Sequence, residues 1–379
     1  VAASAITATL TTIIMGALSD RISKRKKFMS IGYILWGLTT LSFAFISVDK
    51  FRNLFPGSDV ILVTVIIVII MDCIMTFFGS MANDGAFNAW VTDVTNRDNR
   101  GKIEGVMAIL PLLALLIIFG GFDIFVQQDM WPLFFIISGG LVTLGGFIGV
   151  FLIKESNVQK SEISYLKTIV YGFKPSTVKK HILLYLFLIG MSIFGISTQI
   201  YMPYFIIYMQ RYLGIDSYAI VLGAVLLLAS VVSVLVGRFI KEHNKNKFFL
   251  PAMVIMGLGL IMLFITRDVF LVGISGVVMM SGNLILSTAF NVKIRDYTPL
   301  DKVGHFQGIR MIFYVMIPMI IGPFIGARVI NEGNLFYDDL GIMKPVPTPE
   351  IFIASAIALI LIVIPIFFAF KKEKVGEMV

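Results

Sequence analysis

One cysteine, three histidines and charged residues at only 14% of 379 positions are what this sequence has little of. Each scarcity excludes a class of protein. Cys73 stands alone inside an apolar run, so neither a disulfide framework nor a cysteine-based metal cluster is available. It reads as a small buried hydrophobe. His181, His243 and His305 all fall near polar loops, and no cluster of His, Asp and Glu of the metal-ligating kind accompanies them. That argues against an intramembrane enzyme and leaves the set of metal ligands empty. Charge far below the roughly 25% of a soluble domain, beside 58% hydrophobic residues, excludes a water-soluble globule.

What the chain has in abundance is apolar runs of about 20 residues, each long enough to cross a hydrocarbon core of about 30 Å as a helix. Eleven such spans are expected, near 1–19, 28–48, 60–88, 103–122, 132–153, 181–208, 217–237, 248–266, 269–290, 307–330 and 351–370. The net charge of +8 would suggest a nucleic-acid partner if it were spread over a soluble surface. Instead, 25 of the 31 Lys and Arg fall in alternate connecting segments that share one side, with Arg310 just inside its helix. The other side holds Lys50, Arg52, Arg211, Arg267, Arg328 and Lys344. Basic loops mark the cytoplasmic face, so the C-terminus is expected inside, the lipid bilayer is the main partner, and nucleic acid is not one.

An odd number of spans with an inside C-terminus puts the N-terminus outside, and the chain opens on a helix with Val1 rather than Met. The expectation is therefore that one preceding helix is missing; residues 1–19 also lack the basic n-region of a signal peptide. A repeat supports the count. Ala86-Phe87-Asn88, Asp93, Thr95, Asp98, Gly101 and Gly105 recur 203 residues later as Ala289-Phe290-Asn291, Asp296, Thr298, Asp301, Gly304 and Gly308. Two copies six helices apart are the mark of a duplicated transporter with its substrate site between the halves near the midplane. The division expected is 1–153 for the first half (helices two to six), 154–180 for a polar linker, and 181–379 for the second half (helices seven to twelve).

The loop after the first span reads Gly16-Ala17-Leu18-Ser19-Asp20-Arg21-Ile22-Ser23-Lys24-Arg25-Lys26-Lys27. It resembles the G-x-L-x-D-R-x-G-R-K signature of the major facilitator superfamily, which lies between that family's second and third helices, with Ser23 where a Gly is usual. Gly237-Arg238-Phe239-Ile240-Lys241 is its degenerate counterpart in the second half. The resemblance implies an all-α fold of two pseudo-symmetric six-helix bundles. It also implies a gating latch in which Gly16, Asp20, Arg21 and Arg25 work with Asp93, Asp98, Asp296 and Asp301, acids that also read as caps of the following helices. Asp84, three residues before Phe87, is further similar to the placement in the glycoside, pentoside and hexuronide:cation symporters of the melibiose permease group. There an acid at that place serves the sugar and cation site. Thr12 and Ala8 stand where that group carries further acids, so the coupling ion implied is a proton rather than sodium; 311–327 also has no Lys or Arg where that group often places a basic residue along its eleventh helix.

From the residues alone, Asp72 lies mid-way along an apolar run, where a bare charge costs at least about 2.5–3.5 kcal/mol and so is expected to face the bundle interior. At 100° per residue Asp72, Thr76, Gly79, Asn83, Phe87 and Trp90 form one polar and small-residue stripe, with Asp84 about 120° away. In 181–208, Ser197, Tyr201, Tyr204 and Tyr208 share a face and Gln199 lies on another; ring faces and polar tips suit a hydroxylated ligand, or for the outermost tyrosines an interfacial belt. Gly139, Gly140, Gly145, Gly146 and Gly149 lack the Lys-Ser/Thr of a nucleotide loop and read as helix packing. No cofactor is expected. The whole describes a membrane transporter, acting as a monomer on a small-molecule substrate, with proton-driven sugar or glycoside uptake as the leading reading. Proton-coupled efflux of amphipathic compounds, suggested by 33 Phe and 20 Met, and a non-transporting receptor are the alternatives.

Overall fold

A computed structural model describes all residues except 1, 23, 57–58, 96–98, 123, 126–127, 156–171, 238, 240–244, 300–302, 331–334, 340–341 and 377–379. Among the described residues nine helices are long and apolar enough to cross a membrane, and shorter apolar helices at Ala3–Ser19 and Leu113–Phe122 coincide with the first and fourth expected spans. Every expected span is thus helical. The helices are α1 (Ala2–Ile22), α2 (Arg25–Ser42), the short α3 (Val48–Leu54), α4 (Val60–Gly79), α5 (Asn88–Val94), α6 (Arg100–Ile117) and α7 (Trp131–Leu152). They continue as α8 (Pro175–Lys180), α9 (Ile182–Tyr201), α10 (Tyr218–Gly237), α11 (Phe249–Ile265), α12 (Val269–Tyr297), α13 (Val303–Met311), α14 (Ile317–Ile330), α15 (Glu350–Ile360) and α16 (Val363–Gly376).

A π turn, Ser80–Phe87, runs α4 into α5, and another, Ile312–Met316, runs α13 into α14. Between α14 and α15 a two-stranded antiparallel hairpin, β1 (Phe336–Asp339) and β2 (Ile342–Pro345), pairs Phe336 with Pro345. It is the one departure from helix among the regular elements described, and it sits in a connecting segment.

The chain packs into two compact units. The first comprises Val1–Thr95, Phe122–Lys179 and Thr298–Ile312; the second comprises Asn96–Gly121, Lys180–Tyr297 and Phe313–Val379. This division by packing departs from the division by repeat at two places: α6 packs with the second unit, against α10 and α12, and α13 packs with the first, against α1.

In the first unit the tightest crossing is α2 on α7. A Cβ added at Gly37 would fall 2.6 Å from the Gly139 carbonyl oxygen, and one at Gly146 would fall 2.6 Å from the Ile34 nitrogen. Only hydrogen fits there. Gly140 and Gly145 face open space, so the glycine run is two-sided, and only Gly139, Gly146 and Gly149 do the packing expected of all five. In the second unit α11 crosses α12, and an aromatic cluster of Phe187, Phe194, Phe249, Phe290 and Phe370 fills the space between α9, α11, α12 and α16. Hydroxyl to hydroxyl, Ser197 meets Ser355 at 3.0 Å, tying α9 to α15.

Candidate functional site

Polar groups buried in hydrocarbon must satisfy one another, so the informative places are where charged and amide side chains converge. In the first unit they converge on the π turn. The extra residue per turn there shifts the register, and within it the Asn83 amide donates to its neighbour Asp84 Oδ1 at 3.2 Å. Asn83 Oδ1 in turn accepts from the Tyr33 hydroxyl at 3.1 Å. The Ser80 hydroxyl also bonds Asp84, and the Arg310 guanidinium, on α13, is close enough for its charge to act on that carboxyl. Arg310 Nη1 also donates to Gln307 Oε1 at 3.3 Å. The 100° stripe therefore breaks at residue 80. Asp84 joins Asn83 instead of facing away from it, and Tyr33, Ser80 and Arg310 are members that no sequence pattern singles out.

Asp72 is a separate site. It lies 12 residues before Asp84, about 18 Å along a helix axis, and accepts from the Ser4 hydroxyl of α1. Thr76 is half-buried between the two acids on α4.

At the end of the first unit rich in Lys and Arg, Arg25 is 1% exposed; its Nε donates to Asp93 Oδ2 at 3.1 Å and its Nη1 to the Ser19 hydroxyl. Two of the expected latch residues are thus in contact. Asp93 lies near the end of α5 and spends its carboxylate on Arg25, which corrects its reading as a cap for the following helix. Asp296 is likewise the penultimate residue of α12 and does not precede a helix start. A Cβ added at Gly85 would lie 3.5 Å from the Gly16 backbone nitrogen, and Arg21 is exposed. The Asp20 side chain, Asp98 and Asp301 lie outside the described residues.

In the second unit Tyr201 is fully buried; its hydroxyl donates to the Met279 sulfur at 3.2 Å and its ring meets Phe205 and Phe352. The Tyr204 hydroxyl donates to the Pro323 carbonyl at 2.8 Å. Gln199 lies at the close crossing of α9 with α14, opposite Gly322. Both tyrosine hydroxyls are therefore engaged by the protein's own groups. Beside them is a cavity of about 250 Å³ whose walls include Met202, Phe205, Met209, Val225, Met279 and Met280.

Two buried ion pairs in this unit escaped the sequence reading. Arg295 of α12, 2% exposed, pairs through Nε with Glu104 of α6, 4% exposed. Lys293 Nζ pairs with Glu373 Oε1 at 2.7 Å, and Tyr297 and Asn246 donate to the same carboxylate. The apolar run ends at 290, which predicts a connecting segment for Lys293 and Arg295. The helix continues to Tyr297 and carries both cations inside. Among the described residues no group of three or more His, Cys, Asp or Glu is placed to hold a metal ion.

Long apolar helices, a polar cluster embedded in one unit and ion pairs at the basic end define a multi-pass helical membrane protein of the transporter type. The chain belongs to the Major Facilitator Superfamily, whose model matches residues 1–323 and again 187–377. It is accordingly a transporter and not an enzyme. No functionally curated protein matches it in sequence. Solved structures with this fold include the human organic anion transporter MFSD10 (TETRAN), 13% identical with a TM-score of 0.70 over 97% of this chain and 82% of that one. The proton:xylose symporter XylE is 12% identical, with a TM-score of 0.66 over 98% and 84%. A bacterial homologue of the iron transporter ferroportin is 11% identical, with a TM-score of 0.68 over 97% and 88%. At such identities the likeness establishes the fold.

Proposed function

We propose that this transporter couples proton movement to uptake of a sugar, glycoside or similar small organic solute, by alternating access of two halves, 1–153 and 181–379 joined by 154–180. It works in the plasma membrane with its C-terminus in the cytoplasm and as a monomer. The observation that supports this reading best is the Tyr33–Asn83–Asp84 network with the Arg310 charge beside it. A carboxyl in hydrocarbon flanked by a permanent cation has two stable states, an ion pair and a protonated acid with the guanidinium turned to another acceptor such as Gln307. Switching between them is what proton coupling requires. Asp84 carries the proton in this reading, Asn83 and Tyr33 hold it in place, and Asp72 with Thr76 is a secondary polar site. Gly16, Asp20, Arg21, Arg25, Asp93, Asp98, Asp296 and Asp301 make up the gate. Tyr201, Tyr204 and Gln199 would meet substrate only after giving up their present contacts.

The test is uptake of labelled sugars and glycosides by proteoliposomes under imposed proton and sodium gradients. Accumulation that a protonophore collapses, and that D84N loses while keeping exchange of solute across the membrane, is the expected result. Accumulation by D84N equal to the wild type refutes the role of Asp84.

The apolar cavity in the second unit favours a second reading, export of an amphipathic compound. A 250 Å³ space walled by methionine, phenylalanine and valine exceeds the roughly 150 Å³ that stays dry and accepts benzene, and it offers sugar hydroxyls no partner. Proton release on adding a lipophilic cation, with no sugar accumulated, would decide for export.

A further inference from the structure

Where α9 and α16 run side by side at the basic end of the second unit, they enclose an open groove of about 420 Å³ lined by Ile182, Leu186, Phe368, Lys371 and Lys372. The spacing sorts these side chains by depth. Ile182 and Leu186 are one turn apart on α9, and Phe368, Lys371 and Lys372 share one face of α16. Phe368 lies about 5–6 Å further into its span than the two lysines. The groove therefore has hydrocarbon walls inward, and at its mouth the lysines line it with their aliphatic stems while their charged ends reach outward.

Those ammonium groups are held there by the next residue. Glu373 turns the other way, into the bundle, where it is 8% exposed and bound by Lys293, Tyr297 and Asn246. This anchor fixes the rotation of the last turns of α16, and Lys371 and Lys372 are left exposed on the groove side. Exposed Lys180 at the end of α8, two residues before Ile182, adds positive charge to the same end. No acidic side chain is among the described residues that line the groove.

An occupant must satisfy both ends. A zwitterionic lipid brings a cation that competes with the lysines for its own phosphate, and a soluble anion leaves the apolar walls wet. An anionic phospholipid matches both, its phosphate at the lysines and an acyl chain along Ile182, Leu186 and Phe368. We propose that this groove is an anionic phospholipid site of the transporter. The proposal does not depend on the coupled solute or on Asp84.

The test uses the full chain in nanodiscs of phosphatidylcholine doped with phosphatidylglycerol that carries a photoactivatable group on its acyl chain. Labelling is expected on peptides containing Ile182–Leu186 and Phe368–Lys372, competed by unlabelled phosphatidylglycerol but neither by phosphatidylcholine nor by soluble glycerol phosphate. Because each lysine near an anionic headgroup raises affinity several-fold, K371Q/K372Q is expected to lower this labelling by about tenfold, whereas K371R/K372R retains it. K50Q/R52Q, which removes exposed charges elsewhere, serves as the control for bulk surface attraction and should leave it unchanged. Equal competition by phosphatidylcholine and phosphatidylglycerol, full competition by glycerol phosphate, or undiminished labelling of folded K371Q/K372Q would each overturn the proposal.

Discussion

Replacing Glu104 with methionine is expected to destabilise the second unit by about 3–5 kcal/mol, the usual cost of removing one partner from a buried ion pair. The reason lies in what remains. Arg295 is 2% exposed and its Nε points at Glu104. A guanidinium does not give up its proton in a protein, so the variant keeps a full positive charge in a desolvated place with the Glu104 carboxylate gone. The reverse substitution, R295M, leaves Glu104, and a carboxyl deprived of its cation escapes by taking up a proton. R295M is therefore expected to cost less than E104M. The double variant E104M/R295M removes both charges and fills the space with thioethers. It should lie within about 1 kcal/mol of the wild type or above it, since apolar replacement of buried pairs is often neutral or stabilising.

The assay is a double-mutant cycle on the midpoint and free energy of denaturant unfolding in detergent micelles, with helix content checked in each variant. The expected signature is strong non-additivity: two destabilised single variants and a restored double. A double variant as unstable as the sum of the singles would refute the pairing. Equal costs for the two singles would refute the argument that only the arginine is trapped in its charged form.

Three further outcomes follow from the geometry. G37A and G139A should each destabilise the first unit by about 1–3 kcal/mol through overpacking at the α2–α7 crossing, while G140A and G145A, which face open space, should be neutral or stabilising by up to about 1 kcal/mol; thermal midpoints in detergent separate the two classes. R25Q should weaken the Lys- and Arg-rich end of α2 by about 1.5–3 kcal/mol, because it removes a charge-assisted hydrogen bond to Asp93, and faster hydrogen exchange confined to residues near 19–30 and 88–95 would report it. Y204F, which loses only the hydroxyl donating to the Pro323 carbonyl, should cost about 1 kcal/mol; a loss of transport without a loss of stability would instead make Tyr204 a substrate contact.

The spans and the fold were legible because a membrane imposes one simple rule, about 20 apolar residues per crossing, and the chain obeys it throughout. The G-x-L-x-D-R-type loop made Arg25 a candidate, and its contact with Asp93 needed only the repeat to suggest it. Elsewhere the sequence misled for identifiable reasons. Periodicity assumes a constant angle per residue, and the π turn at Ser80–Phe87 violates it at the place where Asn83 and Asp84 must act together. A Gly-rich helix announces packing without saying which side packs, so Gly140 and Gly145 looked like Gly139 and Gly146.

Lys293, Arg295 and Glu104 were invisible for a deeper reason. Hydropathy treats a charged residue at the end of an apolar run as the start of a loop, because it scores each residue as if alone. A helix can carry such residues inward when each meets an opposite charge on another helix, since the pair and not the residue is what has to be buried. Glu104 lies 191 residues from Arg295 and Glu373 lies 80 from Lys293, so the compensation that makes each burial tolerable is absent from any local window. In a chain that is only 14% charged, the charged residues at span ends are therefore the ones whose structural role is hardest to read locally. They are also where substitutions should discriminate most sharply between a loop and a buried clasp: neutralising a loop lysine costs almost nothing, whereas K293M should take the cation from Glu373, leave it the Tyr297 and Asn246 hydrogen bonds, and loosen the end of α16.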